Sequence, residues 1–148
     1  MLYIVTAGPT YEKLDDVRRL TNFSTGRLGT ELAEHLTNAG HEVVLLVGEL
    51  ATWKGERVAR TVQTFSTTTD LLGRIEAWSG HNVGAVFHAA AVSDFTFDGV
   101  YEQNERGELV RLNEGKISTG REALLAKLVP TPKLISRLRE FFPNARIA

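Results

Sequence analysis

Leu2-Tyr3-Ile4-Val5-Thr6-Ala7-Gly8-Pro9-Thr10 is the stretch that sets the class of this chain. An apolar, β-branched run from Leu2 to Thr6, broken at once by a Gly-Pro turn, reads as a buried strand that leaves its sheet at Gly8. Downstream, Leu28, Leu32 and Leu36 recur at four-residue spacing with Ala33 beside them, giving one apolar stripe on a helix that opens near Gly26. Ala39-Gly40 supplies the residue that accepts a left-handed helix end. Strand, long turn, helix is therefore the first unit.

The same alternation continues. Glu42 to Val47 is nearly all apolar, as in a strand covered on both faces. Val58 to Phe65 reads as an outer strand, and Leu71, Leu72, Ile75 and Trp78 form a second helical stripe behind capping oxygens at Thr68, Thr69 and Asp70. Gly84 to Ala91 is another buried strand. Thr96 to Gly120 is polar, with Leu109, Val110 and Leu112 as the only hint of a strand or hairpin. Ala123 to Val129 fits either helix or strand. Thr131 reads as an N-cap with Pro132 in the first helical position, followed by the stripe Leu134, Ile135, Leu138, Phe141 and Phe142. Arg146 to Ala148 opens a further strand. The pattern predicts an α/β class: a Rossmann-like three-layer fold with a mainly parallel central sheet and flanking helices. Without repeats or linker composition, residues 1–148 read as a single domain.

Composition narrows the function. Seventeen Lys and Arg balance eighteen Asp and Glu, so no global field draws in nucleic acid or an anionic membrane. The chain has no cysteine, which removes disulfides, thiolate metal sites and a cysteine nucleophile. No basic leader precedes the first apolar run, and no stretch approaches the roughly 20 apolar residues of a membrane span, so a soluble cytoplasmic protein is expected.

The first turn lies at the C-terminal end of the first strand, the edge where open α/β sheets bind ligands. From Gly8 to Thr25 it runs for about eighteen residues, where a plain connector takes about 2 to 6. It offers Gly8 and Gly26 for close backbone approach, hydroxyls at Thr10, Thr21, Ser24 and Thr25, and cations at Arg18, Arg19 and Arg27. A helix opening at Gly26 aims free N–H groups and its positive dipole end at the same place. These are the parts of an anion site. His35, His41, His81 and His88 fall on separate elements, so metal-ligand spacing is lacking.

Three stretches together carry a resemblance: Asp16-Val17-Arg18-Arg19-Leu20-Thr21-Asn22-Phe23-Ser24-Thr25-Gly26-Arg27-Leu28-Gly29, Ala90-Ala91-Val92-Ser93-Asp94-Phe95, and Lys116-Ile117-Ser118, in that order behind Thr6-Ala7-Gly8-Pro9-Thr10. The chain resembles phosphopantothenoylcysteine synthetase of coenzyme A biosynthesis through Leu128-Val129-Pro130-Thr131-Pro132. The resemblance implies a ligase that activates 4'-phosphopantothenate with CTP to an acyl-cytidylate and joins it to cysteine, with Mg2+ carried on the nucleotide. By the family's pattern Asn22, Arg18 and Lys116 are catalytic. Gly8, Thr10, Ser24, Thr25 and Gly26 would hold the substrate phosphate, while His88, Ala89 and Ala90 through backbone, Asp94 through its carboxylate and Lys116 would hold the nucleotide. A mobile loop is expected to carry Lys116 onto the triphosphate.

The resemblance also implies a homodimer, no flavin, since the chain starts at the synthetase strand, and a synthetase pattern that continues past Ala148. The competing reading is a Rossmann-like nucleotide-binding module or an NAD(P)-dependent reductase. Against a reductase, strand one is not followed by G-x-G-x-x-G and no Tyr-x-x-x-Lys pair is present.

Overall fold

The computed structural model describes residues 1–121 and 123–148. Its centre is a five-stranded sheet of β1 (Leu2–Pro9), β4 (Glu42–Gly48), β5 (Thr61–Phe65), β6 (Val83–Ala91) and β10 (Arg146–Ile147), in the order β10-β6-β1-β4-β5. Every neighbouring pair in it is parallel. Helices α1 (Arg27–Asn38), α2 (Thr68–Glu76) and α3 (Leu134–Phe141) supply the crossovers. The expected three-layer α/β class is borne out.

Side chains alternate across a strand, so β1 feeds two cores. Ile4 points to the side where Phe65, Leu71, Ile75, Leu134, Leu138 and Phe142 close under α2 and α3. Val5 and Ala7 point to the other side, against Ala33 of α1 with Val43, Leu45 and Val47. Both faces of β1 and β4 are thus sealed, which is why those runs contain almost no polar residue.

Helix α1 packs unusually close to β1. A Cβ on Gly29 would sit 2.6 Å from both the Ala7 Cβ and the Thr6 carbonyl oxygen, so only glycine fits. The contact line runs through Gly29 and Ala33, and Leu28, expected on the buried stripe, is 72% exposed at the open end of the helix. The left-handed residue expected after the helix is Gly40, with φ of 85°.

Several local expectations are corrected. The long first turn contains a small hairpin, β2 (Tyr11–Lys13) and β3 (Arg19–Thr21). Helix α2 is capped by Thr67, whose hydroxyl oxygen accepts from the Asp70 N–H, rather than by Thr68 or Thr69, while the Asp70 carboxylate accepts the Ser66 N–H just before the helix. Thr131 does not cap α3; its hydroxyl donates to the Ser93 carbonyl and Lys133 takes the N-cap position. The polar segment from Thr96 to Gly120 holds two strands, β7 (Phe95–Gln103) and β8 (Leu109–Leu112), and the stretch that fits either helix or strand is strand β9 (Leu125–Pro130); the three form an antiparallel sheet in the order β8-β7-β9. A register shift between Phe97 and Val100 breaks the period-2 pattern of β7, so its strand character is weak in the sequence.

The close approach at Gly29 gives a direct test. Gly29→Ala gains helix propensity but forces a methyl into β1, and overpacking of this kind costs about 1–3 kcal/mol. Urea unfolding should show a lower midpoint at unchanged slope, whereas Gly73→Ala, on α2 with open space around it, should not lower the midpoint.

Candidate functional site

β1 and β6 run side by side as far as the pair Pro9 and Ala91, so the chain leaves both strands at the same edge of the sheet. One exit becomes the turn from Gly8 to Gly26 and the other becomes Val92 to Asp94. Most of the candidate site residues lie on or beside these two exits, with Lys116 on the connection between β8 and β9.

Gly8 and Gly26 have φ near 81° and 82°, the left-handed region that suits glycine. Gly26 is the N-cap of α1 and has no side chain to cap it, so of the first-turn N–H groups, which an α-helix cannot satisfy internally, those of Leu28 and Gly29 have no partner among the described residues. Thr25 accepts the Arg27 N–H on its hydroxyl at 3.3 Å. Ser24 donates its N–H to Asn22 Oδ1 at 3.0 Å. Thr10 has a different task from the one expected: it is fully buried, and its hydroxyl oxygen accepts from the Ser93 N–H at 2.9 Å.

Asn22 links the two exits. Its Nδ2 donates to the Ala91 carbonyl at 2.8 Å while its Oδ1 holds Ser24. A primary amide has a second N–H, and no described residue accepts it. Asn22 therefore makes a turn and keeps a donor at the junction.

Arg18 and the backbone on either side of Lys116 come together through Asp15 and Asp16. The Asp15 carboxylate accepts from the N–H groups of Val17 (3.0 Å), Arg18 (2.7 Å) and Ile117 (3.2 Å), and pairs with the Arg18 guanidinium at 2.9 Å. Arg18 also donates to the Ile117 carbonyl, and the Asp16 N–H to the Gly115 carbonyl at 2.8 Å. Enclosure of Asp15 acts to raise its pKa, but those backbone donors and then the Arg18 charge outweigh it and hold the carboxyl below the usual carboxylate range. With Ile117 buried as well, the loop expected to be mobile is clamped on both sides of Lys116. Lys116 itself is exposed and pairs with no described acid.

His88 lies on β6 opposite Thr6. The Thr6 hydroxyl oxygen accepts from the Ala90 N–H and sits 2.9 Å from His88 Nδ1, within hydrogen-bond reach of either tautomer of the neutral ring. Burial pushes the imidazole below its ordinary range, toward that neutral form. The Ala89 and Ala90 backbone pairs in the ladder with Ala7 and Gly8.

A cleft of about 530 Å3 opens beside the β6 exit, lined by His88, Ser93, Asp94 and Phe95 on one side and by Pro130 to Ile135 on the other. The site divides here: Asp94 and His88 line the cleft, while Arg18, Asn22 and Lys116 do not. Asp94 is exposed, and its carbonyl is fixed by the Thr131 N–H at 2.9 Å.

Two groups of residues escaped the sequence reading. Thr131 to Lys133 line the cleft, although Thr131-Pro132 reads locally as a helix start. Trp53, in the β4–β5 connection, donates its backbone N–H to the Thr25 carbonyl at 3.0 Å and stacks under the Arg27 guanidinium at 4.8 Å. The apolar length of Trp53 carries no signal for such a contact. Among the described residues, no three His, Asp or Glu gather where they could hold a metal ion, and no helix is long and apolar enough to cross a membrane.

Comparison with known proteins places this arrangement. The chain is 32% identical over 149 residues to the coenzyme A biosynthesis bifunctional protein CoaBC of Thermococcus kodakarensis, covering 95% of this chain and 31% of that one. The chain thus spans about a third of the length of that relative. The crystal structure of the DNA/pantothenate metabolism flavoprotein from Streptococcus pneumoniae superposes with a TM-score of 0.83 at 32% identity, over 99% of this chain and 67% of that chain. The C-terminal domain of a CoaBC protein follows at a TM-score of 0.71 and 27% identity, over 99% of this chain and 61% of that chain. Residues 2–140 match the DNA/pantothenate metabolism flavoprotein C-terminal domain, and the chain belongs to that family.

Proposed function

We propose that the chain forms the synthetase site of a phosphopantothenate–cysteine ligase of coenzyme A biosynthesis, acting in the cytoplasm with CTP as nucleotide. The observation that carries this reading is Asn22, whose side-chain amide ties the Ser24–Gly26 turn to the exit of β6 and still offers one N–H at the junction. An acyl group held there lies between an anion-binding helix start and the nucleotide side. The family membership and the likeness to CoaBC proteins support it.

The chemistry proceeds in two transfers. The carboxylate oxygen of 4'-phosphopantothenate attacks the α-phosphorus of CTP, and the bond to pyrophosphate breaks. The cysteine amine then attacks the acyl carbon, loses a proton and forms the amide, and CMP departs with the acyl oxygen. Ser24, Thr25, Gly26 and the first turn of α1 hold the phosphate of the substrate, with Gly8 allowing close backbone approach. The Asn22 N–H donates to the acyl oxygen without titrating, and Arg18 and Lys116 balance charge on the phosphates. The nucleoside lies in the cleft, read by Asp94 and the backbone of His88 to Ala90. Mg2+ enters on the triphosphate, since the described residues gather no acidic cluster for it. Flavin has no part in these steps.

A homodimer fits this reading. The β7–β9 sheet exposes Phe95, Leu109, Val110, Leu125 and Leu128, each more than 40% accessible, a surface suited to a second copy.

Pyrophosphate release measured with 4'-phosphopantothenate, cysteine and Mg2+ should depend on both phosphopantothenate and CTP, with ATP a poorer substrate; turnover that ignores phosphopantothenate would overturn the assignment. Lys116→Gln should lower kcat for pyrophosphate release by about 100-fold or more, on the scale of losing a charged transition-state contact, with the fold retained by circular dichroism.

Asp15 should act through the loop it clamps. Its folded pKa lies below the unfolded one, so clamping is fully present above the ordinary carboxylate range and is lost as pH falls through the lower folded value. Asp15→Asn should mimic that loss at neutral pH, seen as faster amide exchange at residues 115–118 and a raised KM for CTP, with exchange in β1 and β4 unchanged.

A further inference from the structure

Glu12 is a buried carboxylate that none of the steps above uses; it is 6% exposed and pairs with no described cation. It stands in the middle of β2, after Tyr11, and spans two elements. Its Oε1 accepts the N–H of Thr68 at the start of α2 at 3.1 Å, and its Oε2 accepts the hydroxyl of Thr96 on β7 at 2.8 Å. Burying a carboxylate is expensive unless its oxygens are met by donors, so these two bonds carry more than their number suggests. The dipole of α2 adds positive potential on the Thr68 side.

The neighbours of Glu12 extend the link. The Thr10 N–H donates to the Ala91 carbonyl, the Tyr11 N–H to the Ser66 carbonyl, and the Thr21 hydroxyl to the Thr10 carbonyl. The Thr10 hydroxyl oxygen accepts from both the Ser93 N–H and the Thr68 hydroxyl. Asp94 therefore lies between Ser93, held by Thr10, and Thr96, held by Glu12. Both holds come from the first part of the substrate turn, Thr10 just after β1 and Glu12 on β2.

Resting on the ligase reading, we infer that Glu12 and Thr96 are positioning residues that fix the Asp94 segment against the substrate turn, and so set affinity for the nucleotide but not for phosphopantothenate. They touch neither ligand. Their effect passes through the strand start at Phe95 and the backbone of Asp94. Thr96 is the better probe, because the Glu12–Thr68 bond that secures α2 stays intact when Thr96 is changed.

The test is calorimetric titration of the chain with CTP and, separately, with 4'-phosphopantothenate, alongside amide exchange. Thr96→Val keeps the shape and removes the donor; it should weaken CTP binding by about tenfold, the scale of one buried hydrogen bond to a charged group, and leave phosphopantothenate affinity within about twofold. Thr96→Ser, which restores the hydroxyl, should recover CTP affinity. Glu12→Ala should reproduce the loss, and adding Thr96→Val to it should weaken CTP binding little further, because both break one link. Equal CTP affinity in Thr96→Val and the parent overturns the inference, as does a matching loss for phosphopantothenate. If the parent binds no CTP, the ligase reading fails, and exchange at residues 93–96 decides the positioning role alone. Faster exchange in Thr96→Val that Thr96→Ser reverses supports it, and unchanged exchange overturns it.

Discussion

The pairing of β1 with β6 is the constraint on which this molecule depends. The two parallel strands stay in register to Pro9 and Ala91, and both stop at the same edge. Because parallel strands expose their C-terminal ends together, the turn after β1 and the turn after β6 must face one crevice. The sealed faces of β1, against α1 on one side and α2 with α3 on the other, keep that edge from shifting. Gly29 contributes by letting α1 come down onto Ala7 and Thr6, which brings the start of α1 to the mouth of the crevice.

Around this edge the chain uses side-chain hydrogen bonds to backbone rather than charge. Asn22 to Ala91 and Thr10 to Ser93 tie the turn after β1 to the β6 exit at two points, and Thr131 to Ser93 ties the segment after β9 to it. Such bonds set position, because a buried backbone group left without its partner would cost about 1–3 kcal/mol. The charged cluster at Asp15 follows the same rule, since its backbone donors outnumber its single ion pair. A chain with net charge of −1 can in this way hold cations at one point without becoming basic overall.

The α/β class was legible in the sequence because strands buried on both faces must be apolar throughout, and Glu42 to Val47 and Gly84 to Ala91 have no alternative reading. The antiparallel β7–β9 sheet was not, because it faces solvent over much of its area and its central strand is bulged at Gly99, so neither a continuous apolar run nor a clean alternation survives. Capping was misread at Thr68 and Thr131 for a related reason: several hydroxyls stand in a row, and which one meets a free N–H depends on where the helix first turns.

What the sequence determined by itself was the order of the central-sheet strands and the three helices along the chain, the glycines at the substrate turn, and the motif around Asn22 that marks the family. These are local properties, fixed by period, by φ and by residue type. The tertiary structure decided which of the marked residues meet. Asp15 and Arg18 hold Ile117, the neighbour of Lys116, across about a hundred residues of chain, Asp94 shares a cleft with Thr131 to Lys133, and Thr10 turns inward to Ser93 instead of outward to a ligand. Contacts at such separations follow from how β7 to β9 fold back over the sheet edge, and that depends on packing and hydrogen bonding between elements that no single stretch of sequence contains.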